Sequence, residues 1–159
     1  MRAAVEHYDP APMFGSILVG TDGSATATAA LRHAIGLARE LSARLQIVSA
    51  YEPVADRHLN SGQIELPKDA QWMVGPREDV LAVLESARQE AEMAGLHVET
   101  FAREGDAADA ILDVAEEQRS DLIIVGNRGM TGAKRFLLGS VPNKVSHHAP
   151  CSVLIVRTT

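Results

Sequence analysis

The segment Gly126-Asn127-Arg128-Gly129-Met130-Thr131-Gly132-Ala133-Lys134-Arg135-Phe136-Leu137-Leu138-Gly139-Ser140 carries the residue types that can hold an anion. It follows an unbroken apolar run, Leu122-Ile123-Ile124-Val125, and precedes a stretch that reads as a helix. A strand, a glycine-bearing turn and a helix N-terminus together bind phosphate in open α/β proteins. Glycine lets the backbone approach the anion, and the first helical amides point at it. The two common phosphate motifs do not fit. Gly129, Gly132 and Lys134 miss the G-x-x-x-x-G-K-[ST] spacing, and Gly126, Gly129 and Gly132 lack a G-x-G start. On these grounds the segment is a phosphate-loop candidate, with a ligand-free glycine-rich connection as the competing reading.

The elements around it alternate. Ser16-Ile17-Leu18-Val19-Gly20 reads as a buried strand that stops at a polar turn, Thr21-Asp22-Gly23-Ser24. Ala27, Ala30, Leu31, Ala34, Ile35, Ala38 and Leu41 then recur at helical spacing, with Ser24 as N-cap. Gly36 inside this helix is expected to allow close packing on a sheet. Arg44 to Tyr51 reads as a second strand, ended by Glu52-Pro53. Val54 to Gly75 shows no period and reads as a long loop.

Pro76 suits a helix start, Val80, Val83, Leu84, Ala87 and Ala91 form a stripe, and Gly95 is the expected stop. His97 to Ala102 alternates as a third strand, and Asp106 caps a helix expected to run through Arg119. Asp121 to Val125 is the fourth strand, Gly139 to His148 a short helix, and Cys151 to Arg157 a fifth strand. This alternation predicts an α/β protein with an open parallel sheet and helices on both faces. Ligands bind such sheets beyond the carboxyl ends of the strands. Gly20-Thr21-Asp22, Ala50-Tyr51 and the Gly126 segment all fall at such ends.

The composition suits one soluble domain. The chain has 159 residues, 46% apolar and only 4% aromatic, so its core is aliphatic. Residues 1–14, with Pro10 and Pro12, read as a flexible arm before a single domain over 15–159. A net charge of −6 argues against a general nucleic-acid binder. No apolar run approaches the roughly 18 residues of a membrane span, and Met1 to Gly15 lacks a secretory apolar core. Cys151 is the only cysteine, which fits a reducing, cytoplasmic setting. His147 and His148 are adjacent and make poor joint ligands for one ion, and no Ser-His-Asp or Cys-His constellation is visible.

Three motifs in order carry a resemblance. The spacing G-x2-G-x9-G-[S/T], here Gly126, Gly129, Gly139 and Ser140, resembles the nucleotide loop of the ATP-binding branch of the universal stress protein family. Ile17-Leu18-Val19-Gly20-Thr21-Asp22-Gly23-Ser24 and Pro150-Cys151-Ser152-Val153-Leu154-Ile155-Val156 resemble that family's first strand with its turn and its last strand. The resemblance implies five strands in the order 3-2-1-4-5 and a role in stress response. It implies ATP as ligand, with or without Mg²⁺, and cyclic AMP or AMP as alternatives.

Gly126 and Gly129 would let the backbone pass close to ribose and phosphates. Gly139, Ser140 and Val141 would bind the phosphate tail. Asp22, beside Gly20 and Thr21, would lie near the ribose or a metal, and the Ala50 backbone would read the adenine edge. Val125, at the end of the strand before the loop, is counted with the site, and Arg128, like Lys134 and Arg135, would add positive charge to it or form a solvated loop face. Pro142 donates no amide hydrogen, which limits the phosphate donors. No general base for ATP hydrolysis is evident, so enzymatic activity is left open. A homodimer through Ser152 to Arg157 is also implied, since an apolar last strand at a sheet edge needs a cover. A nucleotide-free interaction or chaperone-like module is the alternative from another class.

Overall fold

The computed structural model describes residues 13–52, 76–128 and 138–158. The long loop read over Val54 to Gly75, most of the N-terminal arm and Gly129 lie outside the described residues. The strands are β1 (Ser16–Gly20), β2 (Arg44–Tyr51), β3 (Val98–Glu104), β4 (Leu122–Gly126) and β5 (Ser152–Val156). They form one five-stranded sheet in the order β3-β2-β1-β4-β5, and every pairing is parallel. The helices are α1 (Ala25–Leu41), α2 (Pro76–Met93), α3 (Ala107–Glu117) and α4 (Ser140–His148).

Strand side chains alternate between two aliphatic cores, as the two-residue strand period requires. Ile17, Val19, Leu45, Ile47, Leu122 and Ile124 pack under α1 and α2. Leu18, Val48, Ile123 and Val125 pack under α3 and α4. Ile17, Leu18 and Val19 have no exposed surface. Each such side chain contributes about 1.5–3 kcal/mol on burial, so the five-residue β1 is well anchored.

Local signals explain the element ends. Ser24 caps α1, its hydroxyl accepting from the Ala27 amide. Gly95 ends α2 at a φ of +84°, with the Leu96 amide bonded back to the Ala91 carbonyl. Asp106 caps α3 through the Asp109 amide, but the helix stops at Glu117 rather than Arg119, which takes a φ of +51°. β3 starts one residue later than its sequence pattern and continues to Glu104, paired with Tyr51. Gly36 does not bring α1 close to the sheet: it is exposed, with open space where a side chain would stand. Leu41, at the end of the α1 stripe, is 37% exposed. Phe14 packs half-buried against the core under α1 and α2.

At the amino ends of the strands a buried polar group fixes the sheet. Gln46 has no exposed surface, and its amide joins the Ser16 hydroxyl to Gln118. The Asp121 carboxylate accepts from the Gly15 and Ser16 amides, locking β1 to β4. Such groups are stable inside only when paired. No helix among the described residues is long and apolar enough to cross a membrane.

Candidate functional site

β1 is shorter than its neighbours at the carboxyl end. It stops at Gly20, opposite Val48, whereas β2 runs on to Tyr51 and β4 reaches Gly126. A notch opens between β2 and β4. It coincides with the topological switch point, because the chain leaves β1 toward β2 on one side and reaches β4 on the other. The notch is a crevice of about 460 Å³, counting its open mouth.

Its walls include Gly20, Thr21, Asp22, Ala50, Val125, Gly126, Arg128 and Val141. All of these belong to the residues selected from the sequence. Ala27, Val48, Ala107 and Ile111 complete the lining and were not among the residues selected from the sequence as ligand contacts. Two of them carried a faint signal: Ala27 and Ala107 are small residues in the first turns of helices that begin at the carboxyl edge. Gly139 and Ser140 stand at the start of α4, outside the lining itself.

The turn after β1 is held by its own side chains. The Thr21 amide is spent on the Val48 carbonyl at 2.9 Å. Asp22 Oδ1 accepts from the Ser24 amide at 2.9 Å, an Asx-turn, while Oδ2 has no partner among the described residues. Gly23 has a φ of +77°, and a Cβ there would lie 3.0 Å from Val83, so only glycine fits.

Gly20 and Gly126 serve packing. A Cβ at Gly20 would come within 2.6 Å of Ile111 Cδ1 and fill the crevice floor. A Cβ at Gly126 would lie 3.0 Å from the Thr26 carbonyl oxygen. Gly126 thus lets the end of β4 pass beneath the first turn of α1. Thr26 Oγ1 then donates to the Arg128 carbonyl at 2.7 Å.

The amino end of α4 faces the same rim. Gly139 is its N-cap, so Ser140 is the first helical residue and not the cap. The Gly139 amide is bonded to the Asn127 carbonyl, and the first intrahelical bond runs from the Asn143 amide to the Gly139 carbonyl. Pro142 has no amide hydrogen. In the first turn of α4, Ser140 and Val141 are therefore the residues whose amides have no partner among the described residues. Arg128 is half-buried beside them, and its Nε is buried without a partner. A cation lining the crevice, with two free amides and a helix dipole at the same rim, suits an anion. Ala50, Val48, Ala107 and Ile111 supply an apolar wall that suits a flat ring.

Lys144 on α4 bridges to Asp109 at 2.7 Å and to Asp106 at 3.2 Å, which ties α4 to the start of α3. The Asp109 amide and, secondarily, Lys144 hold the Asp106 carboxyl below its ordinary value. Burial pushes the Cys151 thiol up, with the Asp121 carboxylate adding to it, consistent with a packing role.

The sequence model of the Universal stress protein family matches residues 13–157. The chain belongs to that family. Among universal stress proteins, YxiE of Bacillus subtilis is 38% identical over 150 residues, covering 91% of this chain and all of that protein. Rv1636 of Mycobacterium tuberculosis is 36% identical over 147 residues, covering 92% of this chain and 98% of that one. A solved universal stress protein in complex with cAMP superposes with a TM-score of 0.69 at 32% identity. It covers 92% of this chain and 99% of the other. The family's open parallel sheet in the order 3-2-1-4-5 is the sheet found here.

Proposed function

We propose that the chain binds an adenine nucleotide in the notch beyond β1 and acts as a nucleotide-dependent switch or sensor in stress response, its occupied state read by a protein partner. The observation that carries this reading is the amino end of α4. The open amides of Ser140 and Val141 stand at the rim of an apolar crevice that Arg128 also lines. The phosphates would meet these donors and the Ser140 hydroxyl. The base would lie on Ala50 and Val48 against Ile111. Gly126 and Gly129 would let the backbone pass close to ribose and phosphates, and Asp22, through its free oxygen, would meet the ribose or a Mg²⁺ ion.

ATP is the ligand that the G-x2-G-x9-G-S spacing supports. A second reading, cyclic AMP or AMP, is favoured by Pro142: two backbone donors match one phosphate better than three. The related protein solved with cAMP adds to that reading. Isothermal titration calorimetry with ATP, AMP and cyclic AMP separates the two. A clear preference for a monophosphate overturns ATP as the ligand while keeping the site. No binding of any of them, with no nucleotide in the protein as purified, favours the nucleotide-free interaction module. The proposal includes a cytoplasmic homodimer paired through Ser152 to Arg157.

A further inference from the structure

One peptide stretch at the rim is fastened from three directions, and a residue beyond β5 supplies one fastening. Asn127 donates its amide to the Val156 carbonyl at 3.0 Å and accepts the Gly139 amide on its own carbonyl at 3.0 Å. Its side-chain Oδ1 accepts from the Thr158 hydroxyl at 3.0 Å and from the Thr158 amide at 3.3 Å. The next residue, Arg128, is held by Thr26. Gly139 sits so close that a Cβ there would lie 3.3 Å from the Asn127 oxygen and 3.4 Å from Arg128 Cα. Asn127 thus joins the end of β4, the N-cap of α4 and the chain beyond β5.

We infer that Thr158, acting through Asn127, is a positioning residue for the phosphate end of the crevice. This rests on the nucleotide reading above. Thr158 touches no ligand position. It fixes the Asn127 side chain, whose main chain fixes where Gly139 holds the first turn of α4 and where Arg128 presents its guanidinium. Ser140 and Val141 follow Gly139 directly, so a looser Asn127 misplaces the donors for phosphate. The apolar wall for the base is built from β2 and α3 and does not depend on this linkage.

The linkage predicts a split between the two ends of one ligand. Calorimetry of the full chain with adenosine, AMP and ATP reads it, using Thr158→Val, Asn127→Ala and Thr158→Ser. Losing a hydrogen bond of this kind corresponds to about a threefold to tenfold change in affinity. Thr158→Val and Asn127→Ala are expected to weaken AMP and ATP by about that factor while adenosine changes less than about twofold. Thr158→Ser keeps the hydroxyl and is expected to restore phosphate-dependent affinity. Equal losses for adenosine and AMP would mark a general structural role and overturn the inference, as would unchanged AMP and ATP affinity. A wild-type chain that binds none of the three removes the nucleotide reading itself, and this inference with it.

Discussion

At the scale of single residues, Gly126 shows how the crevice depends on an absent side chain. Its missing Cβ leaves room for the Thr26 carbonyl, which is backbone and cannot swing away. Gly126→Ala should cost about 1–3 kcal/mol, as overpacking does. Urea denaturation should register that loss, and calorimetry a weaker nucleotide affinity. Gly129→Val tests the loop directly: binding should be abolished with the fold intact, and retained affinity would count against Gly129 as a binding residue. Asp106 gives a pH-dependent test. Its folded carboxyl titrates below the ordinary value of 3.8, so its contribution is present above that value and lost as pH falls through the folded value. Asp106→Ala removes an N-cap worth about 1 kcal/mol. The gap in melting temperature between wild type and Asp106→Ala should be full near neutrality and narrow on acidification below about pH 4.

Among the elements, α4 decides what the crevice can hold. A helix start normally offers several unpaired amides, and here Gly139 spends one internally and Pro142 lacks another. Pro142→Ala restores a donor in the first turn. It should raise affinity for ATP relative to AMP by about threefold, the scale of one weak hydrogen bond, which competition titration would detect. Elements were legible wherever local chemistry sets them. The apolar stripe of α1, the Ser24 and Asp106 caps and the Gly95 stop are contained in a few neighbouring residues. The end of α3 was not, because a non-glycine residue, Arg119, takes the left-handed position that closes it, with the Ser120 amide bonded back to the Ala115 carbonyl, and arginine gives no local sign of such a stop. The site was legible where glycine spacing or a strand end marked it. Ala27, Ala107 and Ile111 were not, since an apolar residue lining a crevice has the same pattern as one in a core. Asn127 gave no signal at all: its partners Val156, Thr158 and Gly139 meet it only in the folded chain.

For the whole molecule, the two edges of the sheet differ in chemistry. β3 carries Glu99, Arg103 and Glu104 along an outer edge, and such charges discourage pairing with another strand. β5 reads Ser-Val-Leu-Ile-Val, with Leu154 37% exposed. That asymmetry supports pairing of two copies through β5. Leu154→Lys should yield monomers by sedimentation velocity with nucleotide affinity kept. A dimer that survives the substitution, or a monomeric wild type, would remove this edge as the contact.

The position of β1 has a consequence in time. It is made before the other four described strands, yet it lies at the centre of the sheet, and its pairing with β4 begins at Leu122. At synthesis rates of about 5–20 residues per second, the roughly 100 intervening residues take about 5–20 seconds to appear. Throughout that interval one side of Ile17, Leu18 and Val19 has no partner, because the chain that completes it does not yet exist. A strand at the centre of the finished sheet is thus the one most open to misassociation while the protein is being born.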